Sequence, residues 1–237
     1  LFAVSIVTTN LEFETLVPQL MEKDEKEARE HLESVKSRAA KEGIDCDAIV
    51  RLSEEPFQDI IDLAENNKVN MIIVGTHGRT GLKRLMMGSI TAKVIGHSPC
   101  NVLVVPLHAK VECRNILLAT DGSKYSDAAA SEAIGIAKKC GSSLFGISVA
   151  STDTEIALAA GNVKKVTDMA ERENIHIEGI AVKGKPHEAI IETAKQKRAD
   201  LIIMGSHGRT GLERLLMGSV TERVIGHSEV AVLVVKA

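Results

Sequence analysis

The sequence is poor in aromatic residues and has no excess of basic ones. Only 2% of its 237 residues are aromatic, with one Tyr, four Phe and no Trp. Single-stranded nucleic acids bind proteins by stacking on aromatic rings, and duplexes need a positive field. Here 29 basic residues against 32 acidic ones give a formal net charge of −3. A nucleic-acid partner is therefore not expected.

Long apolar runs and paired cysteines are also missing. No run approaches the roughly 20 residues of a transmembrane helix, and no signal peptide opens the chain. The four cysteines have no C-x-x-C spacing, which is typical of reduced, buried thiols and not of a disulfide framework or a zinc site. We expect a cytoplasmic protein with no membrane partner, and a core of Ile, Val, Leu, Ala and Met.

A long internal repeat is the strongest organisational signal. Residues 71–105 and 201–235 align at an offset of 130 without a gap, and 24 of the 35 positions are identical. A period of 130 residues is that of a domain and not that of a small solenoid unit. We predict two tandem domains, 1–108 and 113–237, joined by a short linker.

The second copy alternates short apolar runs with helical stretches. Strands are predicted at 114–120, 143–149, 175–182, 201–204 and 231–235. Helices are predicted at 126–139, at 155–173, from 186 onward and at 219–225. Apolar, β-branched strands alternating with helices indicate a parallel sheet covered on both faces. The unit is therefore predicted to be a doubly wound α/β domain with a five-stranded parallel sheet.

The first copy begins at the second strand of this unit. Its opening residues, LFAVSIV, match LFGISVA at 144–150. The first strand, the turn after it and the first helix have no counterpart in the sequence. Because the chain also begins with Leu, we expect either a truncated chain or residues that precede Leu1.

One glycine-rich motif, G-x-x-G-x9-G-S, occurs in both copies between a buried strand and a helix. Its residues are Gly75, Gly78, Gly88 and Ser89 in the first copy and Gly205, Gly208, Gly218 and Ser219 in the second. Doubly wound folds bind ligands at the carboxyl edge of the sheet, and a helix N-terminus favours phosphate. The first two glycines are expected to leave room for a ribose or phosphate. The motif therefore predicts a phosphate site.

An alternative exists for the serine of this motif. The sequence S-V-T-E from Ser219 to Glu222 is a capping box, in which the serine would cap its own helix. The first copy, S-I-T-A, keeps the serine but lacks the glutamate, which favours phosphate binding.

Other polar residues near the motif have two interpretations each. Asp121 ends the first strand and either binds a ribose or metal ion or only starts the Asp-Gly-Ser turn. His207, like His77, is either a general base or a residue that orients the loop. Arg209, like Arg79, either contacts phosphate or braces the loop. His97 and His227 end helices, where capping is favoured over a ligand role.

Together, the run Ala-Thr-Asp-Gly-Ser at 119–123, the glycine motif and the Val-rich last strand resemble the universal stress protein family of the ATP-binding type. The resemblance covers both copies and implies strand order 3-2-1-4-5, with ATP or AMP held at the carboxyl edge and Asp121 as a candidate ligand of nucleotide-bound Mg. In the second copy it implies nucleotide contacts at Ala119, Thr120, Asp121, Val149, Gly205, Gly208, Gly218, Ser219 and Val220. In the first copy it implies contacts at Val7, Gly75, Gly78, Gly88, Ser89 and Ile90.

The resemblance also implies how the copies associate. Family members dimerise edge to edge through the last strand, so residues 102–105 and 232–235 are expected to pair within one chain as a pseudo-dimer, with a homodimer as a further possibility. The first copy has Glu54-Glu55-Pro56 where the second has Gly184-x-Pro186. This acidic segment is expected to weaken the first nucleotide site.

Three functions are compatible with such a site. The leading one is a regulatory, stress-response module whose output depends on nucleotide occupancy and on a protein partner that the sequence does not identify. The alternatives are a slow ATPase or nucleotide hydrolase, and a chaperone-like protein with a structural nucleotide. Phosphoryl transfer relies on positioned cations and a base or water. The loop has no P-loop lysine and no evident base, so we do not expect an enzyme.

Overall fold

The computed structural model describes residues 1–9, 18–76, 87–209 and 217–237. The strands in these ranges are β1 (Phe2–Thr8), β2 (Asp47–Ser53), β3 (Met71–Gly75), β4 (Asn101–Val105), β5 (Asn115–Ala119), β6 (Ser143–Ala150), β7 (Ile177–Lys183), β8 (Leu201–Gly205) and β9 (Ala231–Val235). The α-helices are α1 (Pro18–Lys41), α2 (Pro56–Asn66), α3 (Ser89–His97), α4 (Lys124–Cys140), α5 (Ile156–Arg172), α6 (Pro186–Gln196) and α7 (Ser219–His227), and a 3-10 turn spans Asp153–Glu155. No helix within the described ranges is both long and apolar enough to cross a membrane.

The chain forms two compact units, 1–66 and 67–237. The first unit holds β1 and β2, which pair in parallel with Phe2 opposite Asp47 and Thr8 opposite Ser53. Helices α1 and α2 pack on this pair. It therefore contains one β-α-β-α segment of the first copy.

The second unit holds a seven-stranded sheet in the order β3-β4-β9-β8-β5-β6-β7. Strands β5 to β9 belong to the second copy and all pair in parallel. Within that copy the order is third, second, first, fourth, fifth, so that β5 is central. The elements of the second copy lie within about two residues of their predicted positions, because each apolar run is bounded by turn residues or helix caps.

The strands of the first copy are divided between two sheets. Strand β5 pairs with both β6 and β8, and it is the strand that connects the two halves of the second copy. The given sequence has no counterpart of β5 in the first copy. In the first copy β1 and β3, the equivalents of β6 and β8, lie in different sheets, and the compact units divide between α2 and β3.

The core of the second unit is aliphatic, as the composition predicted. Its central members are Ile116, Leu118, Ala130, Ile203 and Leu233, all fully buried. The prediction of four buried cysteines is wrong. All four are free thiols, but only Cys46 is buried, Cys100 and Cys113 are half-buried, and Cys140 is exposed. Their scattered spacing gave no information about depth.

The last strands of the two copies pair within one chain, as predicted. Strands β4 and β9 run antiparallel, with Val102 opposite Val234 and Val104 opposite Val232. All four of these valines are buried. Beyond β9, the Lys236 ammonium donates hydrogen bonds to the carbonyls of Ile95 at 2.6 Å and Gly96 at 3.1 Å, at the end of α3. Burial lowers the pKa of Lys236.

Candidate functional site

A cleft of about 240 Å³ lies at the carboxyl edge of β5, β6 and β8. It contains every residue that the sequence assigned to the second nucleotide site. These are Ala119, Thr120, Asp121, Val149, Gly205, Gly208, Gly218, Ser219 and Val220. They meet there because the carboxyl ends of parallel strands share one edge of the sheet.

Helix α7 begins at this cleft without a side-chain cap among the described residues. Its N-cap is Gly218, in an extended conformation with φ −69° and ψ 142°. Ser219 is the first helical residue and is exposed, so the capping-box alternative is wrong: the serine lies one position too late. The first backbone bond of this helix end joins the Glu222 N–H to the Gly218 carbonyl at 3.0 Å. Ser219, Val220 and Thr221 precede that bond and line the cleft, and the first N–H groups of a helix have no acceptor within the helix.

The Asp121 carboxylate holds two segments of the site together. Its Oδ1 accepts a hydrogen bond from the Ser123 N–H at 3.1 Å, which forms the predicted turn. Its Oδ2 accepts from the Arg209 N–H at 2.8 Å, which fixes the glycine loop to the end of β5. Each carboxylate oxygen retains a second lone pair. The turn role is therefore observed, and the ligand role remains available.

The residues around Asp121 are joined by hydrogen bonds between neighbouring polar groups. Thr120 is buried, and its hydroxyl donates to the Ser126 hydroxyl at 3.2 Å. Ser123 caps α4 by accepting from the Ser126 N–H at 3.3 Å. Gly122 has φ +80°, a left-handed conformation that favours glycine. This segment is therefore preorganised.

The first two glycines of the motif lie very close to other protein atoms. A Cβ on Gly205 would lie 2.8 Å from the carbonyl carbon of Tyr125, and a Cβ on Gly208 would lie 2.7 Å from Asp121 Oδ2. A Cβ on Gly218 would lie 3.4 Å from the Cα of His207. A side chain at Gly205 or Gly208 would therefore collide with protein atoms, whereas one at Gly218 would make an ordinary contact. Gly205 and Gly208 allow the main chain to lie directly against α4 and Asp121.

Charged residues form an ion pair at the border of the cleft. The Arg209 guanidinium lies 3.5 Å from Glu155 Oε1 in the 3-10 turn, and Glu155 Oε2 accepts from the Ser151 N–H at 2.9 Å. The loop-bracing interpretation of Arg209 is thus observed. The His207 ring lies 5.2 Å from the Tyr125 ring, and its Nδ1 is 3.1 Å from the Ser206 hydroxyl. Both contacts support an orienting role.

The described part of the first-copy loop has the same local geometry. The Gly88 N–H donates to the Thr76 carbonyl at 2.9 Å, as the Gly218 N–H does to Ser206 at 2.8 Å. The Thr91 hydroxyl donates to the Gly75 carbonyl at 2.9 Å, matching the bond from Thr221 to Gly205 at 3.0 Å. Ser89 and Ile90 are exposed at the start of α3, after the extended N-cap Gly88.

The remaining assignments of the first copy are distributed differently. Val7 is buried in β1 of the first unit, whereas Gly75, Gly88, Ser89 and Ile90 belong to the second unit. Gly78, His77 and Arg79 lie outside the described residues. Of the first-copy loop, the structure therefore describes the end of β3 and the start of α3.

The family follows from two matches along the chain. Residues 1–106 and 112–236 each match the model of the universal stress protein family. The chain belongs to the universal stress protein family. Together the two matches cover nearly all of the sequence, and they separate at the linker between the copies.

Individual universal stress proteins show the same relationship. One from Methanocaldococcus jannaschii is 40% identical over 139 residues, which are 52% of this chain and 82% of that protein. One from Mycobacterium tuberculosis is 26% identical over 227 residues, covering 84% of this chain and 74% of its own length. The crystal structure of a universal stress protein from Archaeoglobus fulgidus superimposes with a TM-score of 0.79 at 25% identity, covering 99% of this chain and 86% of that one.

Several residues of this universal stress protein line the cleft without having been predicted. Most of them are apolar, and they include Ile147, Pro186, Ile190 and Met204. Ile147 lies two residues before Val149, and alternate residues of a strand share a face. Pro186 and Ile190 are four apart on α6, so they share a helix face. These periodicities were visible in the sequence and could have identified the apolar wall.

Proposed function

We propose that this universal stress protein binds an adenine nucleotide, ATP or AMP, in the cleft of its second copy, and that nucleotide occupancy regulates its action in a stress response. One observation supports this most directly: the uncapped start of α7 and the Asp121 carboxylate line the same cleft. The first suits a phosphate and the second suits a ribose hydroxyl. Their coexistence at one sheet edge favours a nucleotide over a simple anion.

The polar end of the cleft provides donors for phosphate. The N–H groups of residues 219–221 and the positive end of the α7 dipole favour an anion there. The exposed Ser219 hydroxyl adds one more donor. Asp121 accepts from ribose hydroxyls through its remaining lone pairs, while its bond to the Arg209 N–H keeps it in place.

The other end of the cleft suits a flat, weakly polar base. Ile147, Val149, Ile190 and Met204 line it, and a methionine thioether packs well against aromatic rings. The volume of about 240 Å³ lies slightly below the range of about 300–1,000 Å³ that is usual for small-molecule sites. The site therefore takes one small ligand.

We further propose that the output is binding and not catalysis. Among the described lining residues the one carboxylate is Asp121, and both of its oxygens already accept backbone N–H groups. The described residues contain no cluster of three metal-ligating side chains. Magnesium, which is usually held by phosphates, waters and one or two carboxylates, would therefore arrive with the nucleotide. Phosphate release at saturating ATP and magnesium should stay well below about one per second, since typical enzymes reach 1–1,000 per second.

The position of the phosphates is tested by Ser219→Glu. An acidic residue in the first turn of a helix interacts favourably with the dipole, so the fold should keep its stability. The new carboxylate lies where phosphate is expected, and it should weaken ATP binding at least about tenfold, or 1.4 kcal/mol. Isothermal titration calorimetry measures the affinity, and urea denaturation measures the stability.

The matched control is Ser89→Glu, the same change at the first residue of α3. It should leave the affinity of the second-copy site unchanged. If Ser219→Glu binds ATP within threefold of the parent, the assignment of the phosphates to α7 is wrong. Denaturing the purified protein and analysing the released small molecules by mass spectrometry identifies the nucleotide.

A further inference from the structure

The ion pair between Arg209 and Glu155 joins two segments that border the candidate nucleotide cleft. Arg209 belongs to the glycine loop and lines the cleft, and its Nη2 atom lies 3.5 Å from Glu155 Oε1 in the 3-10 turn. Glu155 Oε2 accepts a hydrogen bond from the N–H of Ser151, which also lines the cleft. The Glu155 carboxylate therefore bridges two residues of the cleft.

The Glu155 carboxylate interacts with donors that would also suit a phosphate. Backbone N–H groups and arginine guanidinium groups both form strong hydrogen bonds with phosphate oxygens. Among the described residues that line the cleft, Arg209 is the one lysine or arginine. Glu155 therefore neutralises the one permanent positive charge that these lining side chains place beside a nucleotide.

The geometry of the ion pair allows a phosphate to replace the carboxylate. Its N–O distance of 3.5 Å exceeds the roughly 2.7–2.9 Å that is usual for charge-assisted hydrogen bonds. The side chains of Arg209 and Glu155 are 49% and 34% exposed, and solvent-exposed ion pairs contribute little to stability. The Arg209 backbone is fixed separately, because its N–H donates to Asp121 Oδ2 at 2.8 Å. The guanidinium can therefore change partner without moving the glycine loop.

We propose that Glu155 determines which nucleotide the cleft prefers, by competing with the outer phosphates of ATP for Arg209. This inference rests on the adenine-nucleotide binding proposed above. The single phosphate of AMP interacts with the N-terminus of α7 and does not extend to Arg209 at the border of the cleft. A triphosphate extends further, and its outer phosphates and the Glu155 carboxylate repel each other. Glu155 thus disfavours ATP relative to AMP. When ATP binds, its outer phosphates replace Glu155 as the partner of Arg209.

The test is Glu155→Gln, assayed by calorimetric titration of the full chain with ATP and with AMP. Glutamine keeps an oxygen that can accept from the Ser151 N–H, but it has no charge. We expect the affinity for ATP to rise about fivefold and that for AMP to change by less than about twofold. The AMP affinity also reports that the variant is folded. Arg209→Gln should lower the affinity for ATP about fivefold, and that for AMP by less.

The matched control is Asp153→Asn, which removes one negative charge from the same 3-10 turn. The Asp153 side chain is 85% exposed and pairs with Lys183 Nζ at 2.8 Å, so the affinities for both nucleotides should stay within about twofold of the parent. An unchanged ATP-to-AMP affinity ratio in Glu155→Gln, or an equal shift in Asp153→Asn, would overturn the role of Glu155 and leave nucleotide binding intact. If the parent binds neither nucleotide, the proposed function fails and this inference fails with it.

Discussion

At the scale of single residues, the site depends on close approach of main chain to side chain. The Gly208 backbone passes so near Asp121 that a Cβ would lie 2.7 Å from its Oδ2, well inside van der Waals contact. The same carboxylate oxygen receives the next N–H of the loop, from Arg209. Gly208 and Asp121 are thus in close contact, and a change at either residue affects the other.

Gly208→Ala is expected to disturb this contact between Gly208 and Asp121. The new methyl group must displace either the loop or the Asp121 carboxylate, and the Asp121–Arg209 hydrogen bond will lengthen. Overpacking of this kind typically costs about 1–3 kcal/mol. We expect a comparable loss of stability in urea denaturation, together with at least about tenfold weaker ATP binding, or 1.4 kcal/mol, by calorimetry.

The matched control for this variant is Gly161→Ala, a glycine in α5 around which a Cβ would meet nothing within 4 Å. Alanine is favoured over glycine within a helix by about 1 kcal/mol, so this variant should be as stable as the parent or more so, with unchanged affinity. Equal effects of the two substitutions would show that the closeness of Gly208 to Asp121 is unimportant.

At the scale of elements, α6 and α7 pack together and bring charged residues near His187. The His187 ring lies 6.1 Å from the ring of His227, and Arg223, Glu188 and Lys185 are its other charged neighbours. Its side chain is only 16% exposed. Burial, followed by the Arg223 charge, lowers the pKa of His187 below its ordinary value of 6.5.

This lowered pKa predicts a loss of stability in mild acid. Between the two pKa values the histidine binds a proton in the unfolded state but not in the folded state. The free energy of unfolding therefore decreases as the pH falls through 6.5. Above that range both forms are neutral and the effect vanishes. Urea midpoints of the parent and of His187→Gln should converge at about pH 8 and separate towards about pH 5, with the parent losing more. Parallel pH curves would contradict this assignment.

A second prediction at this scale concerns the pairing of strands β4 and β9 between the copies. Val104 is fully buried opposite Val232, and Val104→Ala removes two methyl-sized groups, each contributing about 0.8 kcal/mol. We expect a loss of about 2 kcal/mol, measured by urea denaturation. Ile73→Ala in the neighbouring strand β3 removes a side chain that is 61% exposed, and it should change stability by less than about 0.5 kcal/mol.

Sequence periodicity predicted the strands and helices of the second copy well. It also predicted that the residues of the candidate site lie at one edge of the sheet. It placed Asp121 and Gly205 together because each ends a parallel strand. It did not reveal that the Cβ positions of Gly205 and Gly208 face the protein, because spacing carries no side-chain direction. The pairing of Arg209 with Glu155 also depends on packing between distant segments, which no local pattern encodes.

At the scale of the whole molecule, the two copies share the loop geometry but differ in what surrounds it. The second copy has Asp121 and the end of β5 beside its glycine loop. The first copy has Glu54 and Glu55 at the positions of Gly184 and Lys185 in the second, and like charges disfavour a triphosphate. We therefore predict one ATP per chain. Calorimetric titration of this 237-residue chain gives the stoichiometry, and two sites of equal affinity would refute the prediction.

The contact of Lys236 with the end of α3 makes the pairing of the two copies asymmetric. Position 106, its counterpart 130 residues earlier, is a proline and has no ammonium group with which to return the contact. In a dimer of identical chains every substitution would appear on both sides of the axis. Here each copy mutates alone while their association survives any dilution, because it is intramolecular. Natural selection can therefore preserve ligand chemistry in one copy and let the other diverge into a scaffold.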